Sequence, residues 1–558
     1  MNNLNPRQQE AAKYIDGPLL VLAGAGSGKT SVITKKIAYL ITECGIKANR
    51  IFAVTFTNKA AKEMKERVSK LVNGAEAKGL TVSTFHTLGL TMIRQELEAC
   101  GLKNNFSILD ADDCQRLLAD LMHKDNSPEA DAKKQLKWIS KKISDWKNDL
   151  IAPVQAVSVA ETKEDLIAAH LYDAYQRHLR AYNAVDFDDL IALPTRILQE
   201  NQAIREKWQS KVHYMLVEEY QDTNTARHLM VKLVVGVRGR FTAVGDDDQS
   251  IYAWRGARPE NMLELTKDYP NLKVIKLEQN YRSMGRILNA ANSVIANNPH
   301  VFEKKLWSQH GLGDLIRVVT CETDRQEAEY VANDLVNNKL MNRRTFKDYA
   351  ILYRGNFQAK AIETQLRELQ VPYKLSGGTS FYARAEIKDV MSYLRLIINP
   401  DDDSAFLRII NTPKRAIGPV TLEKLGVYAQ SRGVSLLTAC TELGLAAHLG
   451  QKKAVVSLHE FGTWLEEHSK AILDNTDPVP KIRQLLSDIA YEDYIHETAP
   501  TPQGAESRIE NINFLLNSIQ NMLNKADDEN DKNIEAIIRK LVLIDLLEQQ
   551  AENDDSDR

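Results

Sequence analysis

A glycine-rich segment, residues 23–30, has the composition of a phosphate-binding loop. It lies between an apolar run that predicts a strand and an amphipathic run that predicts a helix, and Ala23 stands where the P-loop motif has its first glycine. A plain glycine turn before a helix is the alternative, but the Lys-Thr pair after the glycines argues against it. Backbone N–H groups would surround the phosphates, Lys29 would meet the β- and γ-phosphates, and the Thr30 hydroxyl would bind Mg²⁺. The predicted phosphate-binding residues are Ala23, Gly24, Ala25, Gly26, Ser27, Gly28, Lys29 and Thr30.

Two adjacent acids, Glu218 and Glu219, follow the apolar run 214–217, which predicts another strand. Hydrolysis of a nucleoside triphosphate needs one carboxylate near the metal and one that activates the attacking water. We expect Glu219 to be the general base and Glu218 to face Mg²⁺, through water. Two acids after a strand are more often a solvated strand end, but the P-loop in the same chain favours the functional interpretation.

The elements that would hold these residues are short apolar runs separated by amphipathic segments. This alternation predicts a parallel α/β sheet. Between residues 90 and 195 the strand pattern gives way to helical patterning, which indicates a helical domain inserted into the sheet domain. The predicted strands of the sheet are 19–22, 51–54, 81–83, 214–217 and 241–244, and the run 273–277 precedes a second region.

A second α/β region is predicted after residue 277. Strands are expected at 316–319 and 349–353, which would form an incomplete sheet, and helical patterning returns over 376–545. The lysine-rich segment 133–147 could form a DNA-facing surface of the first insertion, but we favour the solvated face of a helix, which is the usual reason for such a composition. One apolar helical face is predicted near the end of the chain, formed by Ile534, Ile537, Ile538, Leu541 and Ile544.

Bulk composition narrows the class of protein. With 558 residues the chain is too long for one core, and 43% hydrophobic and 26% charged residues are ordinary globular values. No apolar run approaches the roughly 20 residues of a membrane span, and the first residues lack the basic and apolar regions of an export signal. We therefore expect a soluble cytoplasmic protein. The five cysteines form no C-x-x-C pair, which argues against a zinc site.

Six segments resemble the successive motifs of superfamily 1A helicases, the UvrD/Rep family. They follow one another in the order that this family has, and together they are a specific signal. The resemblance extends from residue 4 to the end of the chain and is greatest toward helicases of the Rep type. The segments are Leu4–Gln8, Ala23–Thr30, Thr55–Ala61, Glu219–Asp222, Gly245–Gly256 and Gln279–Ser283.

This resemblance implies an ATP-driven enzyme that moves 3′ to 5′ on single-stranded DNA and acts in DNA replication. The implied fold is α/β, a P-loop NTPase with two RecA-like parallel-sheet domains, each interrupted by a mainly helical insertion. The first RecA-like domain would comprise 1–85 and 196–277, with its insertion at 86–195. The second, which is expected to be incomplete, would comprise 278–375 and 546–558, with its insertion at 376–545.

The resemblance also assigns roles on the nucleotide side. Gln8 would read the adenine edge, Tyr281 would stack on the base, and Gln249 and Arg282 would sense the γ-phosphate. The implied catalytic set is Lys29, Glu219, Gln249 and Arg282, with ATP and Mg²⁺ as cofactors.

On the DNA side, the resemblance implies a line of mostly aromatic residues along the single strand. Stacking of bases on aromatic rings supplies about 1–3 kcal/mol per base without reading base identity, as a sequence-tolerant enzyme requires. A lone aromatic residue is more often part of a core. The implied DNA-binding residues are Phe56, His86, Phe187, Tyr252, Trp254 and Arg255.

The sequence departs from the family pattern in three places. Glu218 stands where the family normally has aspartate, and Ser31 stands where it often has arginine beside the nucleotide. No stretch of the form His-x-Ser-Lys-Gly-Leu-Glu or Thr-Arg-Ala follows the second predicted insertion. We therefore expect a chain truncated before the last motor motifs.

Two functions remain open at this point. One is a Rep-type helicase whose partners are single-stranded and forked DNA, with replication-fork proteins and self-association implied by the family. The other is a fragment that binds ATP and single-stranded DNA without coupled hydrolysis or unwinding. A helicase–nuclease subunit is disfavoured because the chain leaves no room for a nuclease domain. A small-molecule kinase would leave Gln249–Arg255 unexplained.

Overall fold

The computed structural model of the chain describes residues 4–104, 106–122, 129–355, 358–375, 384–450, 452–475, 477–499, 501–525, 533–538 and 541. Among these residues, no helix combines the length and the apolar character that crossing a membrane requires.

The strands of the main sheet lie where the apolar runs predict them. Its order is β3-β2-β6-β7-β1-β8, and every pair in it is parallel. The carboxyl ends of these six strands therefore meet at one edge. The strands of the structure are β1 Leu19–Ala23, β2 Ile51–Thr55, β3 Thr81–Thr84, β4 Ser107–Ile108, β5 Ala184–Val185, β6 Tyr214–Val217, β7 Phe241–Gly245 and β8 Lys273–Leu277.

Both faces of this sheet are covered, which is why its central strands are continuous apolar runs. In β1, Leu20 and Leu22 belong to the core on one face, and Leu19 and Val21 belong to the core on the other. Helices cover both faces of the sheet, and alternate residues of each central strand pack against one or the other. The predicted α/β class is therefore confirmed. The helices up to the first insertion are α1 Pro6–Lys13, α2 Lys29–Thr42, α3 Asn58–Ser69 and α4 Phe85–Gln95.

The region after α4 is helical, as predicted, apart from the short parallel pair of β4 and β5, which the sequence pattern did not indicate. Its helices and those that return to the main sheet are α5 Ala111–Met122, α6 Glu129–Asn148, α7 Pro153–Ser158, α8 Lys163–Ala181, α9 Asp189–Glu200, α10 Gln202–Lys211, α11 Thr225–Val235 and α12 Glu260–Asp268.

The interpretation of 133–147 as a solvated face is wrong for the last turn of α6. The Lys147 side chain is 1% exposed, and its Nζ lies 2.6 Å from Asp186 Oδ2 and 2.9 Å from Asp189 Oδ1. Trp146 is also buried. A lysine can stay charged in a core when carboxylates pair with it, so lysine content alone did not reveal this turn's burial.

The strands expected at 316–319 and 349–353 do not form. A strand needs a hydrogen-bonded neighbour, and no described residue pairs with either segment. Val318 is 90% exposed and Leu352 is 92% exposed, so these apolar side chains make no buried contact that would stabilise a strand. The helices of this region are α13 Gly285–Ile295, α14 Asp324–Asn342 and α15 Ala359–Glu368.

The last helices share one continuous core with the first helical insertion. Gly426 allows a close approach there, because a Cβ at this position would lie 2.3 Å from the Ala181 carbonyl oxygen. The helices are α16 Ala385–Ile398, α17 Asp403–Ile409, α18 Pro419–Arg432, α19 Leu436–Thr441, α20 Leu445–Leu449, α21 Lys452–Leu473, α22 Val479–Asp488, α23 Tyr491–Thr498 and α24 Pro502–Lys525.

The predicted apolar face near the end of the chain belongs to the same core. Its buried members are Ile534, Ile537, Ile538 and Leu541. Ile544 lies outside the described residues, as do 546–558 of the predicted second RecA-like domain. The division of the chain into four units stays a prediction.

Candidate nucleotide and DNA site

The P-loop connects β1 to α2 at the carboxyl edge of the sheet. Gly28 is the N-cap residue of α2 and has φ +84°, a left-handed conformation that favours glycine. Ser27 is 1% exposed, and its Oγ has no hydrogen-bond partner within the described part of the chain. A buried hydroxyl of this kind usually has a partner, so this one beside a helix N-terminus fits a bound phosphate.

Lys29, the first residue of α2, points toward the neighbouring strands β6 and β7. Its Nζ lies 2.8 Å and 3.0 Å from the two carboxylate oxygens of Glu219, and 3.4 Å from Gln249 Oε1. Because β6, β7 and β1 are adjacent in the sheet, these three predicted catalytic side chains converge. Arg282, the fourth, lies at the same edge after β8, and its side chain is exposed.

Thr30 and Glu218 contact each other directly. The Thr30 hydroxyl donates a hydrogen bond of 2.8 Å to Glu218 Oε1, and Glu218 is 5% exposed. Burial raises the pKa of Glu218 above its ordinary value, although the hydrogen bond from Thr30 opposes the rise. No group of three or more His, Cys, Asp or Glu side chains suited to a metal occurs among the described residues. One hydroxyl and one carboxylate fit Mg²⁺, which keeps several waters when bound.

Glu219 is held in an uncommon backbone conformation. Its φ of +51° and ψ of +47° are left-handed, which is rare for a residue with a side chain. Gln221 supports it, since Gln221 Nε2 donates to Glu219 Oε2 at 2.9 Å. Strained residues of this kind cluster at functional sites. The conformation directs the carboxylate toward Lys29.

The P-loop is also contacted by two segments that are distant in sequence, the start of α1 and the residues after β8. Gln8 Nε2 donates to the Ser27 carbonyl at 2.8 Å, and the Asn5–Gln8 capping box fixes the start of α1. Asn5 Nδ2 also donates to the Tyr281 hydroxyl at 2.8 Å. The predicted adenine-side residues Gln8 and Tyr281 therefore lie together beside the loop.

Asn280 is a supporting residue whose role the sequence did not indicate. Its Nδ2 donates to the Ala25 carbonyl at 2.5 Å, and its Oδ1 accepts from the backbone N–H groups of Arg282 and Ser283 at 2.9 Å and 2.7 Å. The residue ties the segment after β8 to the P-loop. In the sequence, the only indication that Asn280 belongs to the site was its position between Gln279 and Tyr281.

Three of the predicted DNA-binding residues form one group with a cation. Phe187 is 47% exposed and makes an edge contact with His86, with ring centroids 5.8 Å apart. The Arg227 guanidinium lies 5.2 Å from the centre of the Phe56 ring. Desolvation, with a smaller contribution from the Arg227 charge, lowers the pKa of His86 to about 3. Arg227 lies on α11, and no local sequence pattern singled it out.

The remaining predicted DNA-binding residues follow β7. Tyr252 and Trp254 are neighbours, with ring centroids 6.3 Å apart, and Trp254 is 62% exposed. The side chain of Arg255 lies outside the described residues. Phe56 follows β2 and His86 follows β3, so these rings stand at the same sheet edge as the P-loop.

Comparison with known proteins gives matches along the whole chain. The model described as UvrD/REP helicase N-terminal domain matches residues 4–270, and the UvrD-like helicase C-terminal domain matches residues 275–557. ATP-dependent DNA helicase Rep of Salmonella typhimurium strain LT2 is 51% identical over 555 residues, which is 100% of this chain and 82% of the relative. Rep of Escherichia coli K12 is 50% identical over the same shares. ATP-dependent DNA helicase PcrA of Bacillus subtilis strain 168 is 40% identical, over 99% of this chain and 74% of the relative.

Proposed function

Because this chain belongs to the UvrD/Rep helicase family, we propose that it is a Rep-type ATP-dependent DNA helicase moving 3′ to 5′ on single-stranded DNA. One observation carries the proposal. The phosphate-binding loop, the acid pair and the rings of Phe56, His86, Tyr252 and Trp254 follow neighbouring strands of one parallel sheet and stand at the same edge. Nucleotide chemistry and contact with a strand of DNA can therefore affect each other there.

For hydrolysis, we assign Glu219 as the base that takes a proton from the attacking water. Lys29 would contact the β- and γ-phosphates, and the Gln249 amide, 3.4 Å from Lys29 Nζ, would sense the γ-phosphate. The exposed Arg282 is free to reach the same phosphate group. Thr30 and Glu218 would hold Mg²⁺, which neutralises phosphate charge when bound.

The adenine side would be formed by Gln8 and Tyr281. The proposal is supported by the hydrogen bond from Gln8 to the P-loop and by that from Asn5 to the Tyr281 hydroxyl, since an amide and an aromatic ring are then available beside the loop. An amide can recognise a base edge and a ring can stack on a base, so these two residues would favour a nucleotide over bare phosphate.

Coupling to DNA would pass through the loop after β7. Gln249 faces the nucleotide site, and Tyr252 and Trp254 follow it within the same short segment. A shift of Gln249 on loss of the γ-phosphate would move these rings. Phe56, His86 and Phe187 would supply a second set of contacts, and Arg255 would add a cation toward the DNA phosphates.

A fragment that binds ATP and DNA without coupling them is not favoured. Rep-type helicases match 100% of this chain, and the two family models together cover both its halves. We propose single-stranded and forked DNA as the substrates and DNA replication as the process. We also propose the four-unit division given above, because the sheet strands lie in 19–84 and 214–277 on either side of the helical region.

Unwinding assays with tailed duplexes test this function. With ATP and Mg²⁺, the chain is expected to separate a duplex that has a 3′ single-stranded tail and to leave a blunt duplex or one with a 5′ tail intact. ADP in place of ATP serves as the control. Separation of the 5′-tailed duplex alone would contradict the proposed direction, and separation without ATP would contradict a motor.

Replacing Glu218 with aspartate is expected to raise DNA-stimulated turnover, by up to roughly 10²-fold. The direct Thr30–Glu218 contact shows that the longer side chain reaches fully to the hydroxyl, whereas aspartate would leave space for water. The measurement is kcat at saturating ATP and oligo-dT over a Mg²⁺ titration. Glu219→Asp is the matched control and should lower kcat. Unchanged or lower turnover in Glu218→Asp would show that glutamate serves this position equally well.

The pH dependence of DNA binding tests the protonation state of His86. A pKa lowered to about 3 keeps the imidazole neutral from pH 8 down to pH 5, so acid should add no charged contact from this residue. The ratio of the Kd values of His86→Gln and the unmodified chain for oligo-dT is expected to be the same at pH 7.5 and pH 5.5. A stronger gain in affinity at pH 5.5 in the unmodified chain would show that His86 takes up a proton.

A further inference from the structure

Three consecutive carboxylates after β7 surround one ammonium group. Lys304 Nζ lies 2.8 Å from Asp246 Oδ1 and 2.9 Å from Asp248 Oδ2, and it also contacts Asp247. The side chain of Lys304 is 4% exposed, and those of Asp246 and Asp247 are each 3% exposed. These charges therefore interact with little screening by water.

Lys304 belongs to a segment that is itself fixed to the same loop. Asp247 Oδ2 accepts hydrogen bonds from the backbone N–H groups of Val301 and Phe302 at 2.9 Å and 3.2 Å. His300 Nδ1 lies 2.9 Å from Asp248 Oδ1. The segment after α13 thus holds the ammonium in place against the loop.

Asp246 connects this cluster to the nucleotide site by two routes. Its Oδ2 accepts a hydrogen bond of 2.6 Å from Gln249 Nε2, which leaves Gln249 Oε1 facing Lys29. Its backbone N–H donates to Gln221 Oε1 at 3.0 Å, and Gln221 in turn donates to Glu219. One residue therefore supports both proposed catalytic side chains, Gln249 through its carboxylate and Glu219 through its backbone N–H and Gln221.

Without Lys304, the three carboxylates would repel one another in a site with little water. Burial favours the neutral form of Asp247, yet the hydrogen bond and charge of Lys304 hold the pKa of this carboxyl below its ordinary value. Loss of the ammonium would separate the carboxylates or protonate one of them. Either change would alter the hydrogen bond from Asp246 to Gln249.

We propose that Lys304 is a positioning residue for γ-phosphate sensing, because it fixes Asp246 and thereby orients the Gln249 amide toward Lys29. This inference rests on the proposed function, in which Gln249 meets the γ-phosphate. The class of ligand concerned is a nucleoside triphosphate, and a nucleoside diphosphate does not use the contact. A lysine that only tied two parts of the chain together would affect both nucleotides equally.

The test compares the binding of ADP and of a non-hydrolysable ATP analogue to Lys304→Met. Affinity for the analogue is expected to fall by about tenfold or more, as for loss of a hydrogen bond in a charged network, while affinity for ADP stays within about twofold. Lys305→Met, at the exposed next residue, is the matched control and should bind both nucleotides like the unmodified chain. Equal losses for ADP and the analogue would overturn the proposal.

A double variant adds a second criterion. If Lys304 acts through Gln249, then Lys304→Met with Gln249→Ala should bind the analogue no more weakly than Gln249→Ala alone. Fully additive losses would contradict the proposal. Should Lys304→Met unfold under assay conditions, Lys304→Met with Asp247→Asn replaces it, since this pair removes one buried negative charge with the positive one. The same two criteria then apply.

These binding experiments separate this inference from the proposed function. Absence of DNA-stimulated turnover in the unmodified chain would count against the helicase function and leave the binding comparison intact. Normal turnover in the unmodified chain, with equal effects of Lys304→Met on both nucleotides, would overturn only the role of Lys304.

Discussion

Replacing Glu219 with glutamine is expected to lower DNA-stimulated ATP turnover by about 10²- to 10⁴-fold, the range of a lost general base. The amide keeps the size of the side chain but cannot take a proton from water. ATP binding should be retained, because Lys29 and the P-loop backbone are unchanged. Steady-state hydrolysis at saturating oligo-dT measures the first effect, and equilibrium binding of a non-hydrolysable ATP analogue measures the second.

The matched control for this variant is Glu66→Gln, at an exposed position on α3. It removes one carboxylate from the same domain and should hydrolyse ATP like the unmodified chain. Turnover of Glu219→Gln within threefold of the unmodified chain would assign the base to another residue. Combined loss of turnover and of nucleotide binding would indicate a structural role for the Lys29–Glu219 ion pair.

Replacing Lys29 with methionine is expected to reduce kcat/KM for ATP by roughly 10²- to 10³-fold, the effect of removing one preorganised donor from a transition state. Lys29 is the cation whose Nζ lies between Glu219 and Gln249 at the start of α2. Its loss removes the cation that would contact the β- and γ-phosphates and leaves the negative charge of Glu219 uncompensated beside them, so nucleotide binding should weaken as well. This combined loss distinguishes the variant from Glu219→Gln.

Lys13→Met, at the exposed end of α1, serves as the control for Lys29→Met. Both variants remove one positive charge from the same domain, but only Lys29 lies at the phosphate loop. DNA-stimulated hydrolysis and equilibrium binding of ADP and the ATP analogue are measured for each. If Lys29→Met hydrolyses ATP as Lys13→Met does, then the segment 23–30 is not the site of hydrolysis.

The strands of the main sheet were predictable because burial on both faces leaves a strong sequence signal. Runs such as Leu19–Ala23 and Phe241–Gly245 contain almost only apolar residues, and each is followed by residues able to do chemistry. Parallel pairing then places those residues at one edge. The convergence of Lys29 and Glu219 therefore follows from the two strand-end patterns, whereas that of Gln249 was implied by the family resemblance.

The strands predicted at 316–319 and 349–353 do not form, so an apolar run alone does not establish a strand. Their apolar and β-branched residues favour strands, but a strand depends on a neighbour that local sequence does not specify. The prediction that Lys147 is solvated was wrong for a related reason, since its partners Asp186 and Asp189 lie on another part of the chain.

Contacts between distant segments account for the parts of the site that were not predicted. Asn280 reaches the P-loop, and Lys304 reaches three aspartates that follow β7. Neither residue belongs to a local pattern that specifies its partner. Pairings of this kind depend on the fold as a whole, so a single sequence indicates the residues of a motif more readily than the residues that position them.

Steady-state ATP hydrolysis by this chain, with and without oligo-dT, tests the coupling of nucleotide and DNA most directly. We expect oligo-dT to stimulate turnover and Trp254→Ala to reduce the apparent affinity for oligo-dT, by about 1–3 kcal/mol for one stacked base. Hydrolysis that is equal with and without DNA, or binding of both ligands without hydrolysis, would contradict the coupling.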